Sequence, residues 1–231
     1  MALPKLEVPT FETKLPSTSK AVKYRPFLVK EHKVLLMLKD AESSEISRIV
    51  HEIVDACTFN KLNMKDLAFF DLVHLFIELR KVSIGEMLDL VVNCDCGNAI
   101  QHQANLNDAK VVTKPDHSSR IRLTRKIAVD LRYPHLDESM EAYTTTDTDR
   151  TLELLASCIK GVHEDNEFHD ARESSKQELL DWLDGLGAKQ LTDIMKFFDT
   201  MPKVTLPVST ECPKCKKKHD LSLEGLDNFF V

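Results

Sequence analysis

The apolar positions of this chain change period several times, and each change marks an element. Phe11, Thr13 and Leu15 alternate with Glu12 and Lys14, and Val22 and Tyr24 resume the two-residue period after a Pro-Ser-Thr-Ser turn. The pattern predicts an N-terminal β-hairpin or arm within residues 1–29. A helical face carrying Val34, Leu35 and Leu38 then predicts a helix over Lys30–Leu38. Ile46, Ile49, Val50 and Ile53 predict another over Ser44–Ala56. Asp66–Lys81 is the clearest helix, with Phe69, Leu72, Val73, Phe76 and Leu79 in i, i+3, i+4, i+7 register. Phe70 and Ile77 widen its apolar surface, as expected of a central core helix.

From Met87 the period returns to two. Met87–Asn93 reads as a strand ending at Cys94, and Ile100, His102, Ala104 and Leu106 alternate on the way out. Cys94-Asp-Cys-Gly-Asn98 is therefore the tip of a hairpin. Ile121/Leu123 and Ile127/Val129/Leu131 predict a further strand pair. Leu152, Leu155 and Ile159 predict a helix from Asp147 or Thr148 to about Lys160, and Val162–Phe168 reads as a small acidic hairpin. Ser175-Lys-Gln-Glu178 has capping-box spacing and opens a helix carrying Leu179, Leu180 and Leu183. After Gly185 and Gly187, Ala188–Thr200 presents Leu191, Ile194, Met195 and Phe198 inward. Val204, Leu206 and Val208 then alternate into Cys212-Pro-Lys-Cys215, and His219, Leu221 and Leu223 alternate out.

The two cysteine segments thus share one plan: strand, cysteine tip, strand, and a leucine (Leu106, Leu226) about ten residues after the second cysteine. The fold expected is α+β, helices packed on short antiparallel strands, in a single intertwined domain over 1–231. Within it the hairpins 86–106 and 204–224 share a zinc-ribbon-like site. Structural zinc takes four ligands, commonly thiolates, from two short chelating pairs. Cys212-x-x-Cys215 has the usual spacing. Cys94-x-Cys96 is one residue short, with Gly97 placed to permit a tighter turn. We therefore expect one structural zinc per chain, bound by Cys94, Cys96, Cys212 and Cys215, with His102 or His219 as substitute ligands. Closing a loop of ~115 residues costs on the order of 4 kcal/mol, while a structural zinc contributes roughly 10–16 kcal/mol. The metal can accordingly pin the C-terminal hairpin to the middle of the chain. A thiol-redox reading of Cys212-Pro-Lys-Cys215 is weaker, because the pair lies between strands and not at a helix N-terminus. Cys57 and Cys158 fall in apolar helical stretches and read as buried thiols.

Composition sets bounds on function. With 42% hydrophobic and 29% charged residues the chain can fold on its own core. Its formal charge of −6 argues against wholesale wrapping of nucleic acid. No apolar run reaches the roughly 18–20 residues of a membrane span, and Met1-Ala-Leu-Pro-Lys lacks the plan of a secretory signal. A start in the cytoplasm, with reduced thiols, is expected. No phosphate loop, dinucleotide fingerprint, zinc-protease helix or nucleophile elbow occurs, so we expect no enzyme. The acids and histidines of His163–His169 read as a solvated turn. The alternative function is a zinc-ribbon adaptor that binds nucleic acid through the lysines at 214–218. It lacks the interleaved aromatics such a surface needs.

Four stretches in chain order carry a family resemblance. They are Leu15-Pro-Ser-Thr with Val22-Lys-Tyr-Arg-Pro-Phe-Leu-Val-Lys-Glu31, Phe70-Asp-Leu-Val-His-Leu-Phe-Ile-Glu-Leu-Arg80 with Ser83-Ile-Gly-Glu86, Phe197-Phe-Asp-Thr-Met-Pro-Lys203, and the two cysteine pairs. Together they resemble the baseplate hub subunit family of T4-like contractile-tailed bacteriophages over nearly the whole chain. The resemblance implies a structural or assembly part rather than an enzyme. Its partners would be other baseplate hub and tail proteins, with no nucleic acid, in host cytoplasm during assembly and then in the virion tail baseplate; the sequence does not give the oligomeric state. The Cys94-x-Cys96 spacing departs from the more usual two-residue gap.

Overall fold

The computed structural model describes residues 6–36, 43–139, 148–226 and 229. Its elements are mixed helices and antiparallel strands, the α+β class expected. Contacts divide the chain into two compact units, Met1–Val112 with Lys203–Val231, and Thr113–Pro202. The inserted segment buries a core of its own, and in the first unit the middle and end of the chain meet.

In the first unit, β1 (Phe11–Lys14) and β2 (Ala21–Tyr24) form an antiparallel hairpin. Three helices follow: α1 (Val29–Leu36), α2 (Ser43–Cys57) and α3 (Phe69–Ser83). The Leu38 end predicted for the first helix lies outside the described residues, as does Asp147. On α1 it is Leu35 that is buried, whereas Val34 is exposed. The cause is Glu31, one turn earlier. Its buried carboxylate accepts from Leu28 N–H at 2.8 Å and pairs with Arg25 at 3.0 Å, which sets the rotation of the helix.

Helix α3 is buried nearly all round, packing on α2 and on the C-terminal strand β10 (Lys203–Glu211). Leu72, Leu75, Phe76, Ile77 and Leu79 are each almost fully excluded from water. Each such side chain contributes roughly 1.5–3 kcal/mol by burial. The wide apolar surface read from Phe70 and Ile77 is thus spent on the chain's own core. The N-terminal hairpin docks on the same helix through polar contacts. Thr13 Oγ1 lies 3.0 Å from His74 Nε2, Tyr24 O–H donates to Glu78, and Ser17 donates both N–H and O–H to buried Asp71.

After α3 come two hairpins. β3 (Met87–Asn93) pairs with β4 (Ala99–Asn105), and β10 pairs with β11 (Lys218–Glu224). A strand absent from the sequence reading, β5 (Lys110–Val112), adds to the other side of β10. All three of its residues are exposed, so no apolar alternation marked it.

The second unit is a four-stranded sheet in the order β6 (Arg120–Arg122), β7 (Ile127–Leu131), β8 (Ile159–Glu164), β9 (Glu167–Asp170). Helices α4 (Thr148–Ser157), α5 (Lys176–Asp184) and α6 (Ala188–Thr200) cover its inner face. Val129, Leu131, Leu155, Ile159, Leu183, Ile194 and Phe197 form its core. Two boundaries differ from expectation. The α4 segment ends at Ser157, so Ile159 belongs to β8, and the acidic hairpin is the outer half of this sheet. On α6 the deepest aromatic is Phe197, not Phe198. Ser175 and Glu178 form the predicted capping box.

Candidate metal centre

Each hairpin tip folds back on the first cysteine of its pair. Cys94 N–H donates to Asn98 C=O at 2.9 Å, and Cys212 N–H donates to Lys217 C=O at 2.9 Å. The residue directly after the second cysteine is left-handed in both tips, Gly97 at φ 79° and Lys216 at φ 61°. This shared geometry explains how a C-x-C and a C-x-x-C can form matching turns. The shorter gap is closed by Gly97, whose N–H reaches Cys94 C=O at 2.8 Å, and glycine adopts that conformation without steric cost. Lys216 meets the same demand against its Cβ, at a cost of roughly 1 kcal/mol, and nothing in the residue type announced it.

The tips bring four sulfurs together. Cys94 Sγ lies 3.5 Å from Cys215 Sγ, Cys96 Sγ lies 3.7 Å from Cys212 Sγ, and all four Sγ atoms fall within 4.8 Å of one another. A tetrahedron of sulfurs 2.3 Å from zinc has edges of about 3.8 Å, so the donor set fits that ion in size and chemistry. Cys94 and Cys212 are buried, Cys96 is intermediate and Cys215 is exposed. Val92 and Ile100 form an apolar floor beneath them. Neither His102 nor His219 joins the sulfur group among the described residues.

Charge around the sulfurs is arranged unevenly. The backbone N–H groups of Cys215 and Lys214 point at Cys212 Sγ and hold its thiol down at about 6. Asn98 N–H acts the same way on Cys96, but desolvation and three neighbouring sulfurs outweigh it and push that thiol up to about 12. Four thiolates can coexist at this spacing only around a cation, because each like charge raises the cost of the next. A dication bound there would hold all four deprotonated.

Two contacts at the site had no signal in the sequence. Asn98 Nδ2 lies 3.8 Å from Cys212 Sγ, and Lys217 Nζ pairs with Asp95 across the two tips. Part of the lysine run is therefore engaged by acids, Lys217 by Asp95 and Lys216 by Glu211 at 4.0 Å. Cys57 and Cys158 are not members of the cluster; both are buried, and desolvation pushes their thiols up to about 11 and about 12. Leu106 and Leu226, the leucines that complete the repeated plan, are both almost fully buried. Among the described residues no helix is long and apolar enough to cross a membrane.

The chain is 28% identical over 215 residues to the protein named baseplate hub assembly protein gp26 of Enterobacteria phage T4, covering 92% of this chain and 93% of that relative. No solved structure matches. The family described as T4 bacteriophage base plate protein matches residues 8–231, from before β1 to the last residue. A match spanning both units and both cysteine tips shows that the chain belongs to the T4 bacteriophage base plate protein family.

Proposed function

We propose that this chain takes part in building the hub of a contractile-tail baseplate by binding other hub and tail proteins, without catalysing a reaction. The observation that carries the reading is the match with a baseplate hub assembly protein along nearly the full length of both chains. Its place is the host cytoplasm during assembly and the virion tail baseplate afterwards. The fold suits such a part: α3 is consumed by the chain's own core.

Zinc is the structural cofactor in this reading, one per chain, held by Cys94, Cys96, Cys212 and Cys215. The sulfur spacing, the N–H groups aimed at Cys212 and the apolar floor support it. The metal would do no chemistry; it would join β3–β4 to β10–β11 so that the first unit keeps its shape when partners bind.

The test is infection by a phage carrying a nonsense mutation in this reading frame. Infected cells should accumulate tail parts lacking hub-containing baseplates, and supplying the chain in trans should restore them. Normal tails in the chain's absence would overturn the proposal. Mass spectrometry of purified particles beside infected-cell lysate should find the chain in both; its absence from particles would confine it to assembly.

A further inference from the structure

The second unit carries a cavity of about 530 Å³ against the β6–β7 and β8–β9 turns. Its charge is opposite to that of the chain as a whole. From His117 to Ala128 there is no acidic residue, but Arg120, Arg122, Arg125 and Lys126 all occur there, in a chain of formal charge −6. All four line this cavity.

The frame that carries these cations is well fixed. Thr124 Oγ1 accepts from Lys126 N–H at 3.1 Å and Ile127 N–H at 2.9 Å, and Thr124 N–H donates to Ile127 C=O at 3.1 Å. The two turns are tied together by Asp165 N–H, which donates to Lys126 C=O at 2.8 Å. Arg120 is held by a two-pronged bond to Asp130, at 2.6 and 2.7 Å, and His163 Nε2 lies 2.9 Å from the same carboxylate. Lys126 has only a 3.4 Å contact with Asp165, both groups being exposed. Among the described residues, Arg122 and Arg125 have no acidic partner within ion-pair distance.

Cations on an edge strand such as β6 can serve merely to discourage strand pairing. That purpose does not call for Arg125 and Lys126, which sit on the turn, nor for a concave surface between two stapled turns. We propose that this cavity receives the carboxylates of an acidic segment on a partner protein, with the Arg122 and Arg125 guanidiniums as the principal donors. Arginine forks match carboxylates with paired N–H donors, and a frame already rigid loses little freedom on binding. A nucleic acid fits less well. No Phe, Tyr or Trp lines the cavity to stack a base, and the chain's net negative charge repels a long polyanion more than a short acidic segment. The inference rests on the assembly role proposed above and is independent of the metal.

The test uses the full chain and a fluorescein-labelled octaglutamate peptide, followed by fluorescence anisotropy at low ionic strength. Arg122→Gln/Arg125→Gln should weaken binding about five- to tenfold, as expected for loss of two exposed charge contacts. Lys214→Gln/Lys216→Gln, at the cysteine tip of the first unit, should leave it nearly unchanged. Far-ultraviolet circular dichroism checks that both variants stay folded. Failure of the wild-type chain to bind the peptide, or equal binding by the Arg122/Arg125 variant, would overturn the proposal. So would tighter binding of a labelled oligothymidylate with the same arginine dependence, which would assign the cavity to nucleic acid. None of these results would touch the infection experiment, so failure of the cavity and failure of the assembly role are distinguishable.

Discussion

The two units of this protein solve the same problem by different means. The second is one continuous stretch, Thr113–Pro202, whose sheet and helices close on a local core and whose surface carries ion pairs such as Lys176–Glu153. The first is assembled from two distant stretches, and at its cysteine tips the middle of the chain is joined to the end. A continuous unit can rely on short loops. A discontinuous one must offset the entropy of closing a long loop, and a four-thiolate site is a compact way to do so. The difference teaches that the four-cysteine cluster is a local device of one unit.

The comparison breaks first, and hardest, at the metal. Chelation, or Cys212→Ser, should destabilise the first unit by at least about 4 kcal/mol, seen as faster hydrogen exchange in β3, β4, β10 and β11. Trp182, the chain's single tryptophan, packs against the second unit's core and serves as its reporter. Its emission should not change on metal removal. A coincident change in both signals would show that the units do not respond separately.

The next largest effect belongs to the second unit. A Cβ on Gly161 would come within 2.5 Å of His169 O and of the Phe168 ring. The ring can swing away but the backbone oxygen cannot, so Gly161→Ala should cost about 2–3 kcal/mol. Trp182 emission in a urea titration reads that loss, while zinc content stays unchanged.

Acid separates the units more gently. Burial opposes ionisation of Glu138, but the Arg132 guanidinium and the His135 N–H outweigh it and bring its carboxyl from an ordinary 4.5 to about 2. A lowered carboxylate contributes stability that is complete above its unfolded value and is lost as pH falls through its folded value. The second unit should therefore lose on the order of 2 kcal/mol between about pH 4.5 and pH 2. Glu138→Gln should flatten that part of the profile. Asp71 in the first unit has the opposite sign. Desolvation raises its carboxyl despite two bonds from Ser17, so its contribution is full at low pH and declines as pH rises through the folded value.

The smallest effect is at the α5 capping box. Ser175→Ala removes the side chain that accepts from Glu178 N–H and should cost about 1 kcal/mol, confined to the Trp182 signal.

How much of this was legible in the sequence follows from what periodicity can encode. The elements of the cysteine hairpins, the α3 core stripe and the Ser175 cap were readable, because alternation, 3.6-residue spacing and cap chemistry are local signals. The pairing of Cys94 and Cys96 with Cys212 and Cys215 was readable only through their repeated plan, which the buried Leu106 and Leu226 complete. The division into two units was not, since no proline- or glycine-rich linker marks Val112/Thr113, and β5, with all residues exposed, carries no alternation. The rotation of α1 was misread because its determinant is a buried charge, Glu31, and patterns of apolar residues are blind to such a group. Lys216 stayed hidden for a similar reason: a left-handed lysine is imposed by the turn around it.

Four thiolates from the two stretches of the first unit are proposed to close on one ion. X-ray absorption at the zinc edge, on protein purified without added metal and matched to elemental analysis, tests this most directly. One zinc per chain with four sulfur neighbours at about 2.3 Å is expected. A folded chain with no zinc, or a zinc with fewer than four sulfurs, would contradict it.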